Sequence, residues 1–185
     1  AWLTEHPVIR VGIDPAWPPY EFMDEQGRHQ GMSAEYLALL SQKLGVKFQI
    51  SPAQPWSITQ QQLEQKQLDF TPSIVSTPNR DRFLNFTQPY ISFPVVILTR
   101  ADEAFIGQLE DLAGKRVGVE ADYFADEILQ NNHPSIQRVR YPYLQDLLSA
   151  LALGQIDYVL TNYASASYAV QKLHMTGLKL ASVTP

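Results

Sequence analysis

A chain of 185 residues with a net charge of −5 and no cluster of lysine or arginine lacks the concentrated basic face that phosphate backbones demand, so nucleic acid is not an expected partner. The absence of cysteine removes disulfides, thiolate metal sites and cysteine nucleophiles together. No run of about 18 apolar residues exists, so direct membrane insertion of this chain is not expected; the length admits one domain or two small ones.

The opening stretch Ala1 to Pro7 has neither the basic start nor the apolar core of a signal peptide, so any such segment is expected to lie outside this sequence. Val8 to Ile13 alternates around Arg10 and reads as a buried strand closed by the turn Asp14-Pro15. In the following loop, Ala16-Trp17-Pro18-Pro19-Tyr20-Glu21-Phe22, paired prolines stiffen the backbone and present the Trp17 and Tyr20 rings with little freedom left to lose. Such rings suit either a ligand-stacking wall or the cover of a core edge. Asp24 to Gly27 is a turn. Ser33 is expected to cap a helix with Tyr36, Leu37, Leu40 and Leu44 on one face and Gly45 at its end. Lys47 to Ile50 reads as a strand, Ile58 to Gln65 as a helix and Phe70 to Ile74 as a strand, and this alternation implies a doubly wound, mostly parallel α/β sheet.

Thr77-Pro78 is a helix-start signal that places Arg80 in a first turn. A cation there opposes the helix dipole at a cost of roughly 0.3–1 kcal/mol, which an anion would remove. That anion is either a ligand or a carboxylate of the same lobe, such as Asp69 or Asp81. Pro89 to Leu98 is extended and proline-punctuated, as a strand crossing between lobes would be.

A second run follows: a strand at Arg116 to Val119, a helix at about Tyr123 to Asn131, a strand at Gln137 to Tyr141, and a Leu144, Leu147, Leu148, Leu151 stripe of helical period. Tyr158 to Leu160, Tyr163 to Lys172 and Leu178 to Val183 complete it as strand, helix and strand. Val11-Gly12-Ile13-Asp14 is echoed by Val117-Gly118-Val119-Glu120, and Leu63 to Phe70 by Leu151 to Tyr158. Two matches in one order imply two similar lobes, residues 1–92 and 93–185. Ligands of open α/β sheets bind beyond the carboxyl ends of the strands, here Asp14 to Tyr20, Ser73 to Arg80, Asp122 to Phe124 and Asn162 to Tyr163, which are expected to face one another across a cleft.

These residues resemble the family 3 bacterial extracellular solute-binding proteins, the type II periplasmic binding or Venus flytrap fold. The resemblance rests on Asp14 with Trp17 to Phe22, Gly31 to Tyr36, Thr77 to Arg80, Phe86 to Tyr90, Leu112 to Gly118 and Gly154 to Asp157. Tyr90 to Val96 and Thr161 to Tyr168 are most similar to the periplasmic sensor domains of histidine kinases and diguanylate cyclases, and less like free transport receptors. The resemblance implies that Asp14, Trp17, Tyr20, Ser73, Ile74, Val75 and Arg80 line a pocket from lobe 1, with Arg80 gripping a carboxylate, and that Asp122, Tyr123, Phe124 and Asn162 line it from lobe 2. Where the family carries a hydroxyl five residues before the arginine this chain has Val75. Where the second lobe offers Gly then Thr or Ser it has Asp122-Tyr123-Phe124, and an Asp capping that helix would fill the anion position itself. Asn162 replaces the acid that meets an α-ammonium, so a small carboxylate or an aromatic acid fits at least as well as an ordinary amino acid. The family's return strand to lobe 1 is expected after Pro185 and is missing here.

An enzyme would need other signals. No phosphate loop, His-Glu-x-x-His or Gly-x-Ser-x-Gly is present, and His6, His29, His133 and His174 are scattered among polar residues and expected at the surface. Asp14 with Asp69, or Asp122 with Asp126, could be put forward as acid/base pairs, but Asp69 and Asp157 hold equivalent places in the two lobes, which implies a structural role. No catalysis, cofactor or metal is expected. The implied partners are a small solute and either a membrane signalling module fused in a longer protein or an ABC permease, in the periplasm and tethered to the inner membrane.

Overall fold

The computed structural model describes residues 2–184. Ala1, where the leader reading began, and Pro185, after which the return strand was expected, lie outside them. The chain divides into two compact units, Ala1–Gln88 and Pro89–Pro185.

The first unit opens with a short helix, α1 (Trp2–Glu5), and strand β1 (Val8–Val11), which pairs in parallel with β5 (Lys47–Ile50). Alternation along β1 buries Ile9 and Val11 and leaves Val8 and Arg10 outside, as a period of two requires. Between these strands lie a small antiparallel sheet, β2 (Ala16–Trp17), β3 (Glu21–Met23) and β4 (His29–Gln30), and helix α2 (Met32–Leu44). Helix α3 (Trp56–Glu64) follows β5. Ile9, Val11, Ile13, Leu37 and Val46 form the core, with Phe48 and Phe70 packed on it. Burying each large side chain contributes about 1.5–3 kcal/mol.

Three sequence expectations change in this unit. The Phe70 to Ile74 strand shrinks to one parallel bridge between Phe70 and Val11, because Pro72 has no N–H to continue a ladder. The helix expected from Thr77 is a single 3₁₀ turn, Arg80–Arg82. The Thr77 hydroxyl does accept from Arg80 N–H, at 3.4 Å, but Asn85-Phe86-Thr87 then offers weak helix formers. Ser33 is not a cap. Gly31 takes that position with φ 96°, and the carbonyls of Pro19 and Tyr20 accept from Met32 and Ser33 N–H. A side chain at Gly31 would bring its Cβ within 2.6 Å of the Tyr20 carbonyl oxygen. Gly45 ends α2 in the left-handed conformation, as its position implied. Of the expected apolar face, Leu37 is buried whereas Tyr36 and Leu44 are exposed.

The second unit is one five-stranded sheet in the order β10-β6-β9-β7-β8, built from β6 (Val95–Arg100), β7 (Arg116–Glu120), β8 (Gln137–Tyr141), β9 (Tyr158–Asn162) and β10 (Leu178–Val183). Helices α4 (Phe124–Asn132), α5 (Leu144–Ala152) and α6 (Tyr163–Lys172) connect β7 through β10. Those four strands run one way. Only β6 opposes them, pairing antiparallel with both β9 and β10. A loop with one 3₁₀ turn, Leu109–Leu112, joins β6 to β7, and a link without a crossover helix reverses direction. Four of its five strands thus share one direction, as the sequence pattern implied, and the antiparallel β6 makes the sheet mixed. The α5 stripe Leu144, Leu147, Leu148 and Leu151 is wholly buried against Val96, Ile156 and Val159.

The internal repeat extends to single atoms. Arg10 donates from its backbone N–H and Nε to Asp69 Oδ2, at 2.9 Å each, and from Nη2 to Oδ1 at 2.6 Å. In the second unit Arg116 makes the same three bonds to Asp157, at 3.0, 3.1 and 2.6 Å. The arginines hold both carboxyls below the usual carboxylate range, chiefly through the side-chain hydrogen bonds. The structural role expected of Asp69 and Asp157 is thus a tie, of β1 to the segment after α3 in the first unit and of β7 to the segment after α5 in the second. Gly12 and Gly118 also match, each letting a helix approach the sheet. A Cβ on Gly118 would lie 2.3 Å from Leu147 Cδ2 and 2.4 Å from Ile156 Cδ1. Gly118→Ala is expected to cost about 1–3 kcal/mol by overpacking, measured as a lowered urea midpoint with unchanged slope.

Candidate functional site

In the first unit, β1 ends in a loop folded back on itself. Asp14 is buried, its Oδ1 accepting from Ala16 N–H at 2.9 Å while its own N–H donates to Glu21 Oε2 at 2.9 Å. Trp17 and Tyr20 are both buried, with ring centroids 5.0 Å apart and planes tilted by 49°. Burial pushes the Tyr20 hydroxyl up. The carbonyl of Tyr20 receives Ser33 N–H, and the buried Ser33 hydroxyl meets that of Ser73. The first turn of α2 therefore ties the Asp14–Tyr20 loop to the Ser73–Arg80 segment.

Arg80 is 3% exposed. Its Nη1 donates to the Val75 carbonyl at 3.0 Å and its Nε to Gln60 Oε1 at 3.2 Å, and its guanidinium carbon lies 6.0 Å from the Trp56 ring centre. Of the carboxylates considered from sequence, Asp69 is engaged by Arg10, and Asp81 accepts from the Ser76 hydroxyl at 2.7 Å. Val75 therefore supplies its backbone oxygen where a hydroxyl was looked for, and Ile74 is half-buried beside it.

Trp56 and Gln60 are the residues that sequence reading missed. It started α3 at Ile58, which left Trp56 in a loop. The structure begins the helix at Trp56, so residues 56 and 60 share a face and meet Arg80. A second omission is Glu21, fully buried, whose Oε1 lies 3.1 Å from His29 Nε2. Burial pushes the Glu21 carboxyl up, against the pull of the His29 and Asp14 hydrogen bonds. His29 was expected at the surface. Its side chain is only 10% exposed, because β4 pairs with β3 and turns the ring toward Glu21.

In the second unit, Asp122 does not cap α4. Tyr123 occupies the cap position, and Asp122, with φ 67°, sends its carboxylate to Arg140 Nη2 at 2.6 Å. The anion at the start of α4 is Asp126, 3% exposed, which accepts from Asp122 N–H and from Arg140 Nε, each at 2.9 Å. Arg138 Nη1 lies 2.8 Å from Asp126 Oδ1 as an ion contact, while its directed hydrogen bond runs to the Asp126 carbonyl at 3.0 Å. Two carboxylates locked by two arginines form a structural network, so the Asp122/Asp126 pair is not set up for acid/base exchange. Tyr123 and Phe124 are buried, with Phe124 against Phe93 at 6.1 Å between ring centres. Asn162, 1% exposed, caps α6 by accepting Ser165 N–H at 2.8 Å.

A family profile for bacterial extracellular solute-binding proteins, family 3, matches residues 9–111. The chain belongs to that family. This solute-binding chain is 27% identical over 181 residues to the virulence sensor protein BvgS of Bordetella pertussis strain Tohama I, covering 98% of itself and 15% of that sensor. It is also 27% identical over 176 residues to the L-cystine-binding protein TcyJ of Escherichia coli K12, covering 94% of itself and 66% of TcyJ. A solved histidine kinase sensor domain with similarity to periplasmic binding proteins superposes with a TM-score of 0.90 at 27% identity, over 98% of this chain and 79% of that one. The periplasmic-binding-protein fold expected from the sequence motifs is the fold of this solute-binding chain, and its relatives include both sensor proteins and an L-cystine-binding protein.

Proposed function

We propose that this chain is the periplasmic solute-sensing domain of a membrane signalling protein tethered to the inner membrane. It would bind a small carboxylate or amino-acid-like solute between its lobes and signal by lobe closure. The observation that carries the reading is Arg80, a buried guanidinium held in one orientation by Gln60 and the Val75 carbonyl beneath Trp56. A fork fixed in advance loses little freedom when it grips a carboxylate, so more of the charge-assisted bond is retained as affinity. Asp14, Trp17, Tyr20, Ser73, Ile74 and Val75 would complete the lobe 1 surface, and Asp122, Tyr123, Phe124 and Asn162 that of lobe 2.

Asn162 narrows the chemistry. With its carbonyl oxygen turned to Ser165 N–H, the amide offers its NH₂ as a donor. The group it meets would be an acceptor, such as a carboxylate, keto or hydroxyl oxygen, rather than an ammonium. Nothing in this reading calls for catalysis. The likeness to TcyJ supports a second reading, a free receptor of an amino-acid-type ABC transporter, which would bind by the same groups without a fused signalling module.

A thermal-shift screen against amino acids, small dicarboxylates, aromatic acids and polyamines tests the proposal. A solute at 100 times its dissociation constant stabilises the fold by about 2.7 kcal/mol, a rise of a few degrees. Small dicarboxylates or aromatic acids are expected among the hits. A screen answered only by polyamines would overturn the carboxylate reading.

A further inference from the structure

Glu21 opens β3 with its carboxylate fully buried, and two hydrogen-bonding groups from separate elements hold it. Asp14 N–H, at the end of the β1 loop, reaches Oε2 at 2.9 Å, and His29 Nε2, on β4, lies 3.1 Å from Oε1. Both oxygens are thus committed, one to the loop and one to the imidazole. The other charged groups nearby have different engagements. The Asp14 carboxylate accepts Ala16 N–H, and Asp24 and Arg28, at the tip of the β3–β4 hairpin, pair with each other at 2.8 Å. Strand β2 contributes only Ala16 and Trp17, and α2 buries Ser33 and Leu37 while its Glu35 and Lys43 are exposed.

We propose that Glu21 and His29 form a protonation-sensitive clamp that positions the Asp14–Tyr20 loop, tightest while the pair keeps its proton and looser as pH rises. With one proton shared, the buried site holds either a neutral pair or a close ion pair. Without it, a lone carboxylate is left out of water, a state that folded proteins relieve by admitting solvent or moving the group. Either response draws Glu21 away from Asp14 N–H.

The sign follows from burial, which raises the Glu21 carboxyl above its ordinary value. A group raised in the folded state contributes stability that is full below the unfolded value, about 4.3 for glutamate, and lost as pH rises through the folded one. The loosening therefore lies on the neutral side of the ordinary glutamate range. That the clamp affects solute affinity rests on the proposed reading of the Asp14–Tyr20 loop as a solute contact. The clamp itself does not.

Amide hydrogen exchange on the whole chain, without solute, at pH 5.5, 6.5 and 7.5 tests it, with Val119 N–H in the second unit as reference. The Asp14 protection factor, corrected for intrinsic exchange, is expected to fall at least fivefold across this range while that of Val119 holds. Glu21→Gln, which keeps an oxygen for Asp14 N–H but cannot ionise, should remove the slope. His29→Gln, which keeps a hydrogen-bonding group but removes the pull of the imidazole on the buried carboxyl, should move the fall in protection to higher pH. A flat wild-type profile, or an equal slope in Glu21→Gln, would overturn the clamp, and the wild-type profile decides alone should a variant not fold. A sloping profile with no solute found would count against the binding reading only, whereas Arg80-dependent solute binding with a flat profile would count against the clamp only.

Discussion

Arg80→Lys is expected to weaken solute binding by about one to two orders of magnitude while leaving the solute-free melting curve within a few degrees of wild type. Lysine keeps the charge and fills much of the same volume, but one ammonium cannot keep the Val75 carbonyl and Gln60 while offering a planar pair of donors to a carboxylate. Losing a bidentate, charge-assisted contact costs about 1.5–3 kcal/mol, which is one to two decades in affinity. Arg80→Ala should lose more, roughly three decades, and should also lower the melting temperature because Gln60 and Val75 lose their donor. Isothermal titration of each variant with the best hit from the screen, beside its solute-free melt, separates the two effects. Unchanged affinity in Arg80→Lys would mean that the guanidinium only braces the 3₁₀ turn.

The parts legible in the sequence were those where one local rule acts alone. The α5 stripe is buried as its period requires, and Gly45 ends its helix for want of a Cβ. The doubled strand motif proved to be a doubled ion tie, Arg10 with Asp69 and Arg116 with Asp157. Arg80 and Asp14 were singled out because their residue types match a family pattern, and Asn162 because of its place in that pattern, from which its residue type departs. What the sequence hid depends on pairing across elements. His29 looks like a surface residue among Arg28 and Gln30, and only the β3–β4 register turns it onto Glu21. Tyr36 and Leu44 continue an apolar period that the first unit leaves exposed. Trp56 was lost to a two-residue error in a helix start. The reversal of β6 could not be read from strands and helices taken singly, since it follows from the absence of a helix between β6 and β7.

The network at the head of α4 offers a sharper contrast, because its two carboxylates share one arginine and differ in burial. Asp126→Asn is expected to destabilise the chain by about 2–4 kcal/mol, and Asp122→Asn by less than about 1. Asp126 is nearly inaccessible, sits at the favourable end of the helix dipole, and answers Asp122 N–H, Arg140 Nε and Arg138 together. Removing its charge leaves two guanidinium groups facing a neutral amide that is itself shut off from water, although Arg140 and Arg138 keep part of their hydration. Asp122 has a side chain 44% exposed, and exposed ion pairs contribute about 0–1 kcal/mol. Its left-handed backbone also suits asparagine at least as well. Urea unfolding followed by near-ultraviolet circular dichroism would rank the two. Equal losses would mean that the network acts through Arg140 alone. The expected order would mean that Asp126 shapes the Asp122–Phe124 loop by itself, so that, on the proposed binding reading, solute preference should yield to substitutions at Asn162 more readily than to changes in that loop.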